Sequence, residues 1–276
     1  MYRKRLILIC LITPLVFFIS CEKEVLIETG HPEKLCLNCI LNPDSLVTAS
    51  LTLSRDVENS SNFNTVDNAT LELYTDNGFH DTLVSLGSGR YQLNYQPLEG
   101  ISYNMVVNHN GRNKILATTT VPGRASVSWI ADTTHISSPA AGSRVFVRVD
   151  MSVHDNPNET NYYWMNSIET NAVFIDDFNR DIDAESEYGY IYYYYLRFSD
   201  VGYNGQDMDL TFERRSGIKW YLWSCDPEYD KYLKSTLKAR LNSEKDLPFR
   251  EPVQIYSNIE NGYGIFGAVA ATQIKF

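Results

Sequence analysis

Cys21 is the residue of this sequence whose chemistry is most narrowly defined by its neighbours. It follows a basic start with Arg3, Lys4 and Arg5, then an apolar stretch, then Ser20. This order is typical of a bacterial lipoprotein signal, in which the cysteine carries the lipid, commonly palmitate, once the preceding peptide is removed. We therefore predict lipidation of Cys21. A cleaved secretory signal with an incidental cysteine and an uncleaved anchor helix are the alternatives.

Three further cysteines follow the signal: Cys36, Cys39 and Cys225. The first two have the spacing of a metal knuckle or a redox pair. They lie, however, in the strand-like segment 34–41, where residues three apart point to opposite faces. This favours buried thiols that act as small apolar groups. A disulfide among the three, or a metal site, is the alternative.

One acidic segment resembles the start of a calcium-binding loop. Oxygen-bearing side chains occupy every second position, at Asp177, Asn179, Asp181 and Asp183. The sixth position is Ile182, where an EF-hand has Gly, and the twelfth is Tyr188, where it has Glu. A solvated acidic turn is the favoured interpretation, and a weak calcium site is the alternative.

A run of tyrosines lies between residues 188 and 195. In a strand, Tyr188, Tyr190, Tyr192 and Tyr194 share one face. Exposed tyrosines stack on sugar rings, hydrogen-bond to peptides or anchor a protein partner. We take these four as candidate ligand or partner contacts. A place in a sandwich core, with the hydroxyl groups at its rim, is the alternative.

No set of residues in the sequence has the spacing of a catalytic site. The nucleophile-elbow, zinc-protease and phosphate-loop motifs are absent, and the five histidines are scattered without ligand spacing. Gly262, Gly264 and Gly267 resemble a phosphate cradle, but they lie between predicted strands and favour a tight β connection. We predict a non-enzymatic protein with no catalytic residues, no cofactor and no metal.

The first half of the chain consists of short segments with the alternating pattern of β-strands. Val47, Ala49, Leu51 and Leu53 alternate with polar residues, and turns rich in Gly, Asn and Asp separate the runs. This pattern is typical of an immunoglobulin-like β-sandwich. We assign that fold to residues 34–123.

The second half predicts a β-rich domain, residues 124–276, with one helix. Its clearest strand has apolar residues at every second position: Val145, Val147, Val149, Met151 and Val153. The helix is expected near 227–242, since Asp226 can cap it and Pro227 suits its first position. The whole chain is therefore expected to be all-β apart from this helix.

Residues 1–20 form the predicted signal and residues 21–33 a polar tether. Removal of the signal takes away three basic groups and no acid, which leaves 21 basic and 34 acidic residues. A net charge of −13 argues against nucleic-acid binding, because that requires a basic surface. No later apolar run approaches the length of a membrane span.

Several segments form a pattern along nearly the whole chain after residue 20. They are Asp155-Asn-Pro157, Asn161-Tyr162-Tyr163, Phe198-Ser199-Asp200, Pro248-Phe249-Arg-Glu-Pro252 and Ser257-Asn258-Ile-Glu-Asn-Gly262-Tyr-Gly264-Ile-Phe266-Gly267. The pattern resembles the DUF4249 lipoproteins of Bacteroidota, and its last two segments are the most specific. Cys36 and Cys39 depart from the Val and Gly expected there, which supports buried thiols.

The resemblance implies a lipoprotein of the outer membrane, encoded beside a TonB-dependent receptor. By analogy, it implies an accessory or substrate-binding partner of such a transporter. Glu22 and Glu24 resemble the export signal that sends such lipoproteins to the cell exterior. A stand-alone adhesin or envelope structural protein is the alternative, and an unrecognised hydrolase is a less favoured one.

Overall fold

The structure is a computed structural model that describes residues 32–55, 62–138, 142–167, 174–177, 195–201, 204–215, 220–244 and 253–274. Residues Glu33–Phe276 form one compact unit. Among the described residues, no helix combines the length and the apolar character needed to cross a membrane.

β-Strands dominate the described residues. They are β1 (Leu35–Leu41), β2 (Val47–Leu53), β3 (Thr70–Tyr74), β4 (His80–Gly87), β5 (Arg90–Leu93), β6 (Ser102–Asn108), β7 (Ile115–Thr120), β8 (Ser126–Ser138), β9 (Gly142–His154), β10 (Tyr162–Ser167), β11 (Phe174–Asp177), β12 (Tyr195–Ser199), β13 (Met208–Arg215), β14 (Trp220–Cys225) and β15 (Tyr263–Ile274). The helix is α1 (Pro227–Glu244). The predicted all-β class with one helix is confirmed, and the immunoglobulin-like detail stays a prediction.

The first seven strands enclose one hydrophobic core. β1, β2 and β5 pair antiparallel on one side, and β3, β6 and β7 pair antiparallel on the other. β4 belongs to both sides, because its first half pairs with β3 and its second half with β5. Side chains from both sides are fully buried, among them Leu37, Leu71, Tyr91, Tyr103 and Met105. Strict alternation of buried and exposed residues along β7 follows from the two-residue period of a strand.

A second core lies between two further groups of strands. β12, β10, β14 and β15 are neighbours in that order, and β11, β13, β9 and β8 form a separate four-stranded sheet. Val149, Met151 and Val153 of β9 are buried, as their alternation predicts, in a cluster with Tyr163 and Phe198. The rings of Tyr163 and Phe198 stack with centroids 5.1 Å apart.

β15 connects the two groups of strands. Its residues 263–268 pair in parallel with β1, and its residues 269–274 pair antiparallel with β14. Strands from both predicted domains therefore follow one another in a single hydrogen-bonded order. The domain boundary after Gly123 stays a prediction, but β15 from the second half completes the sheet that begins in the first.

Small residues let β15 approach both its neighbouring strand β1 and the helix closely. Gly264 has φ of +106°, and a Cβ atom there would lie 1.9 Å from the Leu37 carbonyl oxygen. A Cβ atom at Gly267 would lie 2.9 Å from Cβ of Tyr229 on the helix. Gly262 lies in the turn before β15. Gly264 and Gly267, however, lie inside the strand, so the expectation that they lie between strands was wrong for these two.

Helix α1 begins where the sequence predicts and covers the face of the sheet opposite the second core. The carboxylate of Asp226 accepts a hydrogen bond from the Tyr229 N–H at 3.0 Å, which caps the first turn. Tyr229, Leu233 and Leu237 pack on a buried cluster that contains Trp164.

A buried ion pair fixes the helix to the sheet. The Arg197 guanidinium donates from Nε and Nη2 to the two carboxylate oxygens of Asp230, at 3.0 and 3.1 Å. The Trp164 indole N–H donates to the same carboxylate at 2.9 Å. Only 4 % of the Asp230 side chain and 11 % of the Arg197 side chain are exposed. Because three elements supply the partners, α1, β10 and β12 hold fixed positions relative to one another.

Candidate functional site

Most of the residues named from the sequence as candidates lie outside the described residues. These are Cys21, Glu22, Glu24, Asn179, Asp181, Asp183, Tyr188, Tyr190, Tyr192 and Tyr194. Asp177 is the last residue of β11, and its backbone pairs with Thr211 of β13. The lipid, export, tyrosine and calcium assignments therefore stay predictions.

The cysteines of the folded part are free thiols. Cys39 and Cys225 are buried, and Cys36 is half-buried. Burial raises the pKa of Cys39 to about 12, and burial also raises the pKa of Cys225. Both thiols therefore stay protonated and are weak nucleophiles. Within the described ranges, no three His, Cys, Asp or Glu side chains are grouped to hold a metal ion.

The outer surface of the four-stranded sheet carries a cluster of polar side chains, which we call the open face. Polar residues of β9 alternate with its buried ones, and residues paired with them on β8 and β13 share the same side. The open face consists of Ser128, Asp150, Ser152, His154, Asp207, Asp209 and Thr211. A groove of about 360 Å³ runs along most of it. Ile130 borders the groove with 76 % of its surface exposed.

Three residues of the open face form a hydrogen-bonded line that joins β8, β9 and the residue before β13. His154 Nε2 lies 3.0 Å from Oγ of Ser128, and His154 Nδ1 lies 2.9 Å from Oδ2 of Asp207. A carboxylate only accepts hydrogen bonds, so in the neutral imidazole Nδ1 carries the proton and Nε2 accepts from the serine. This is the order of contacts found in serine hydrolases.

The chemistry available to this line is the activation of a hydroxyl group. His154 is placed to remove the Ser128 proton, while Asp207 fixes the tautomer of the ring. Acyl transfer also needs donors for the developing oxyanion. Ser152 lies directly opposite Ser128 in the ladder, with Cβ atoms about 5 Å apart, so it is the neighbouring hydroxyl that could serve this purpose. Both His154 and Asp207 are exposed, with 41 % and 58 % of their side-chain surface in contact with solvent.

The sequence alone did not identify this line, because its three residues come from distant segments of the chain. His154 continues the polar face of β9 after Ser152, and that periodicity is the one local signal. Ser128 and Asp207 come from distant segments, and only the pairing of β8 and β13 with β9 brings them to the histidine.

A second groove, of about 480 Å³, lies beside the start of the helix. Its polar side chains are those of Tyr74, Asn104, Thr118, Glu228, Asn258 and Glu260. A groove lined by so many hydroxyl, amide and carboxylate groups suits a hydrophilic ligand better than an apolar one.

The C-terminal motif has a structural role at this groove. The Asn258 amide donates to the carbonyl of Phe266 at 2.7 Å and accepts from its N–H at 3.0 Å. Asn258 thus pairs with β15 as a strand backbone would. Asn261 has a positive φ of 63°, and its amide donates to the Lys114 carbonyl at 3.1 Å. These bonds hold the segment before β15 against the strand itself and against the residues before β7.

Comparison with known proteins identifies a family without an assigned activity. A protein-family model described as a domain of unknown function, DUF4249, matches residues 22–275. The match begins at the residue after Cys21 and covers all but the last residue of the folded unit. No curated protein matches the chain. The resemblance seen in the sequence is therefore confirmed, and the chain belongs to the DUF4249 family.

Proposed function

We propose that this protein is a surface-exposed lipoprotein of the outer membrane that acts as a non-enzymatic accessory, or substrate-binding partner, of a TonB-dependent transporter. The observation that carries the proposal is the position of Cys21. It ends a lipoprotein-type signal, and the family match starts at the next residue. We therefore interpret the residues before Cys21 as a targeting signal and the chain from Cys21 onward as the mature protein.

The open face supports a binding role. Its carboxylates and hydroxyls line a groove of about 360 Å³, a size that suits a small hydrophilic ligand or a short polar segment of a partner. Asp150 already accepts a hydrogen bond from Thr211 at 2.7 Å, so part of the groove is held in place before any ligand binds. A lipid anchor would confine this surface to the plane of the membrane.

Co-purification from native membranes tests the proposal. The full-length protein with a C-terminal affinity tag is isolated in mild detergent, and the bound proteins are identified by mass spectrometry. We expect a β-barrel receptor in stoichiometric amount with the wild type and much less of it with Cys21→Ser. Recovery of the wild type without any barrel partner would overturn the transporter role. Binding to host matrix in the absence of a barrel would favour an adhesin.

A second candidate function, serine hydrolysis, is favoured by one observation, the contacts of His154 with Ser128 and Asp207. Ser128 Oγ would attack an ester carbonyl while His154 takes its proton, and the alcohol would leave with that proton as the acyl-enzyme forms. A fluorophosphonate probe should then label the wild type but neither Ser128→Ala nor His154→Gln. Ser126→Ala, on the same strand, is the matched control. An unlabelled wild type removes this candidate.

A further inference from the structure

Three of the sequence segments that resemble the DUF4249 pattern meet in one buried corner at the edge of the second core. Asp155 follows β9, Asn161 precedes β10, and Asp200 follows β12. Asn161 and Asp200 are 7 % and 0 % exposed. We call Asp155, Asn161 and Asp200 the acidic corner.

Hydrogen bonds show that both carboxylates converge on Asn161. Its backbone N–H donates to Oδ2 of Asp200 at 2.9 Å, and its side-chain amide donates to Oδ1 of Asp155 at 3.2 Å. The Gly205 N–H donates to Oδ2 of Asp155 at 2.6 Å. The backbone of Asp200 donates in return to the Asn161 carbonyl at 3.3 Å. The corner is thus built from paired backbone as well as from side chains.

One carboxylate oxygen in this corner has no donor. Oδ1 of Asp200 is buried and accepts no hydrogen bond from an N–H group, and the carboxyl group of Asp155 lies within hydrogen-bonding reach of Asp200. In the described part of the chain, neither Lys nor Arg forms an ion pair with either acid. A buried charged oxygen without a partner costs several kcal/mol, so such groups are normally paired or bound to a cation.

Other titratable groups nearby add to the need for positive charge. Burial, with repulsion from Asp155, raises the pKa of Asp200. Burial also raises the pKa of the neighbouring Tyr163 hydroxyl, to which the charges of Asp155, Asp200 and Glu159 contribute. Carboxylate, amide and phenol oxygens are therefore close together in this corner, and no Lys or Arg of the described residues pairs with its carboxylates.

We propose that the acidic corner binds a calcium ion. The carboxylates of Asp155 and Asp200 supply its charged ligands, and the unpaired Oδ1 of Asp200 is the oxygen that points to the site. Rotation of the Asn161 amide by half a turn would present its oxygen in place of its NH₂ group. Because Asp155 is only half-buried, water can enter to complete the coordination shell.

Oxygen chemistry and an irregular setting favour calcium over other metals. Structural zinc sites are built mainly from Cys and His side chains, which the acidic corner lacks. Magnesium requires a near-ideal octahedron, whereas calcium accepts six to eight oxygens in flexible geometry. Calcium sites in extracellular modules are weak, with dissociation constants of about 0.1–1 mM. The inference is independent of the transporter role, because it concerns the fold itself.

Thermal unfolding of the full-length protein in detergent tests the proposal. The melting temperature is compared in EDTA and in about 10 mM calcium chloride, an excess over a weak site. We expect calcium to raise the melting temperature of the wild type by about 3 °C or more. Asp200→Asn and Asp155→Asn should lose that shift, while Asp132→Asn, an exposed acid on β8, should keep it.

Terbium luminescence gives a second readout that does not depend on stability. Terbium replaces calcium at oxygen sites, and Tyr163 lies close enough to sensitise its emission. Asp200→Asn should weaken terbium binding at least about tenfold. A wild type that responds to neither ion would overturn the proposal. So would an equal response in Asp200→Asn, because binding would then be elsewhere. A calcium-insensitive wild type that is less stable than Asp200→Asn at neutral pH would show that a shared proton fills the corner.

Discussion

Asp226 shows how one side chain connects three elements of this fold. Its carboxylate accepts from the N–H of Tyr229 on α1, from the N–H of Ala268 on β15 at 2.9 Å, and from the hydroxyl of Thr119 on β7 at 2.7 Å. The sequence predicts the first bond, since an aspartate before a proline is a typical helix cap. The other two depend on distant strands, and nothing local indicates them.

Two substitutions of Asp226 distinguish the effect of its hydrogen bonds on stability from the effect of its charge. Asp226→Ala removes the cap and leaves two buried donors unpaired, so it should lower the free energy of unfolding by about 3 kcal/mol. Asp226→Asn keeps an acceptor for both N–H groups and should cost much less. Chemical denaturation measures both. A loss below about 1 kcal/mol in Asp226→Ala would contradict this role.

The charge of Asp226 should appear in the pH dependence of stability. Burial raises its folded pKa above the unfolded value, despite the hydrogen bonds to the carboxylate. The stability that this pKa shift contributes is therefore fully present below the unfolded pKa of Asp226 and is lost as the pH rises through its folded pKa. Relative to Asp226→Asn, the wild type should lose stability as the pH rises above about 4, the unfolded pKa of an aspartate. A difference that stays constant as the pH rises from there to neutral would show that the raised pKa of Asp226 does not contribute to stability.

The ion pair between Arg197 and Asp230 allows a double-mutant cycle. Asp230→Ala leaves a guanidinium group buried without its carboxylate, and should cost about 3–5 kcal/mol. Adding Arg197→Met removes that charge and should restore part of the loss. Additive effects in urea denaturation would show that the two residues do not stabilise the fold as a pair.

At the scale of elements, local patterns predict some strands well and their partners poorly. The alternation through Val149, Met151 and Val153 predicts the buried face of β9, and Asp226 with Pro227 predicts the start of α1. The parallel pairing of β15 with β1 joins segments at opposite ends of the folded unit. No local period encodes such a pairing. For the same reason the sequence does not reveal the open face, where Ser128 is on β8, His154 is on β9 and Asp207 directly precedes β13.

Gly264 is the position at which the pairing of β15 with β1 is most sensitive. A methyl group there would overlap the Leu37 carbonyl, and the backbone has positive φ. Gly264→Ala should therefore lower the free energy of unfolding by more than about 4 kcal/mol. Gly111 also has positive φ but open space around it, so Gly111→Ala should cost only about 1–2 kcal/mol. If thermal denaturation shows that both substitutions lower stability equally, the cost comes from the positive φ and not from the contact with the Leu37 carbonyl.

At the scale of the whole molecule, the predicted lipid anchor can be tested by asking which cysteine carries the lipid. In cells fed labelled palmitate, the wild type and Cys36→Ser should incorporate label, because Cys36 is a half-buried thiol of β1. Cys21→Ser should incorporate none. Label in Cys21→Ser would show that the lipid is attached elsewhere.

The acids after Cys21 should govern the side of the membrane and not the anchoring. Glu22→Ala with Glu24→Ala should retain the lipid but become resistant to protease added to intact cells. Glu33→Ala with Glu99→Ala, two exposed acids of the folded part, is the control for charge. Unchanged protease sensitivity in the Glu22 and Glu24 variant would remove the export assignment.

The place of β1 in the sheet also determines how the protein would respond to force. Thirteen residues separate Cys21 from Leu35, and the next segment is β1, hydrogen-bonded to β15 on one side and β2 on the other. Tension along an anchored N-terminus would pull β1 lengthwise, so its bonds to both neighbours would bear the load together in shear and not open one at a time. Forced unfolding is governed by the unfolding rate. A lipid at Cys21 would therefore transmit force to a strand in the middle of a sheet, which is the arrangement that resists unfolding from the N-terminus.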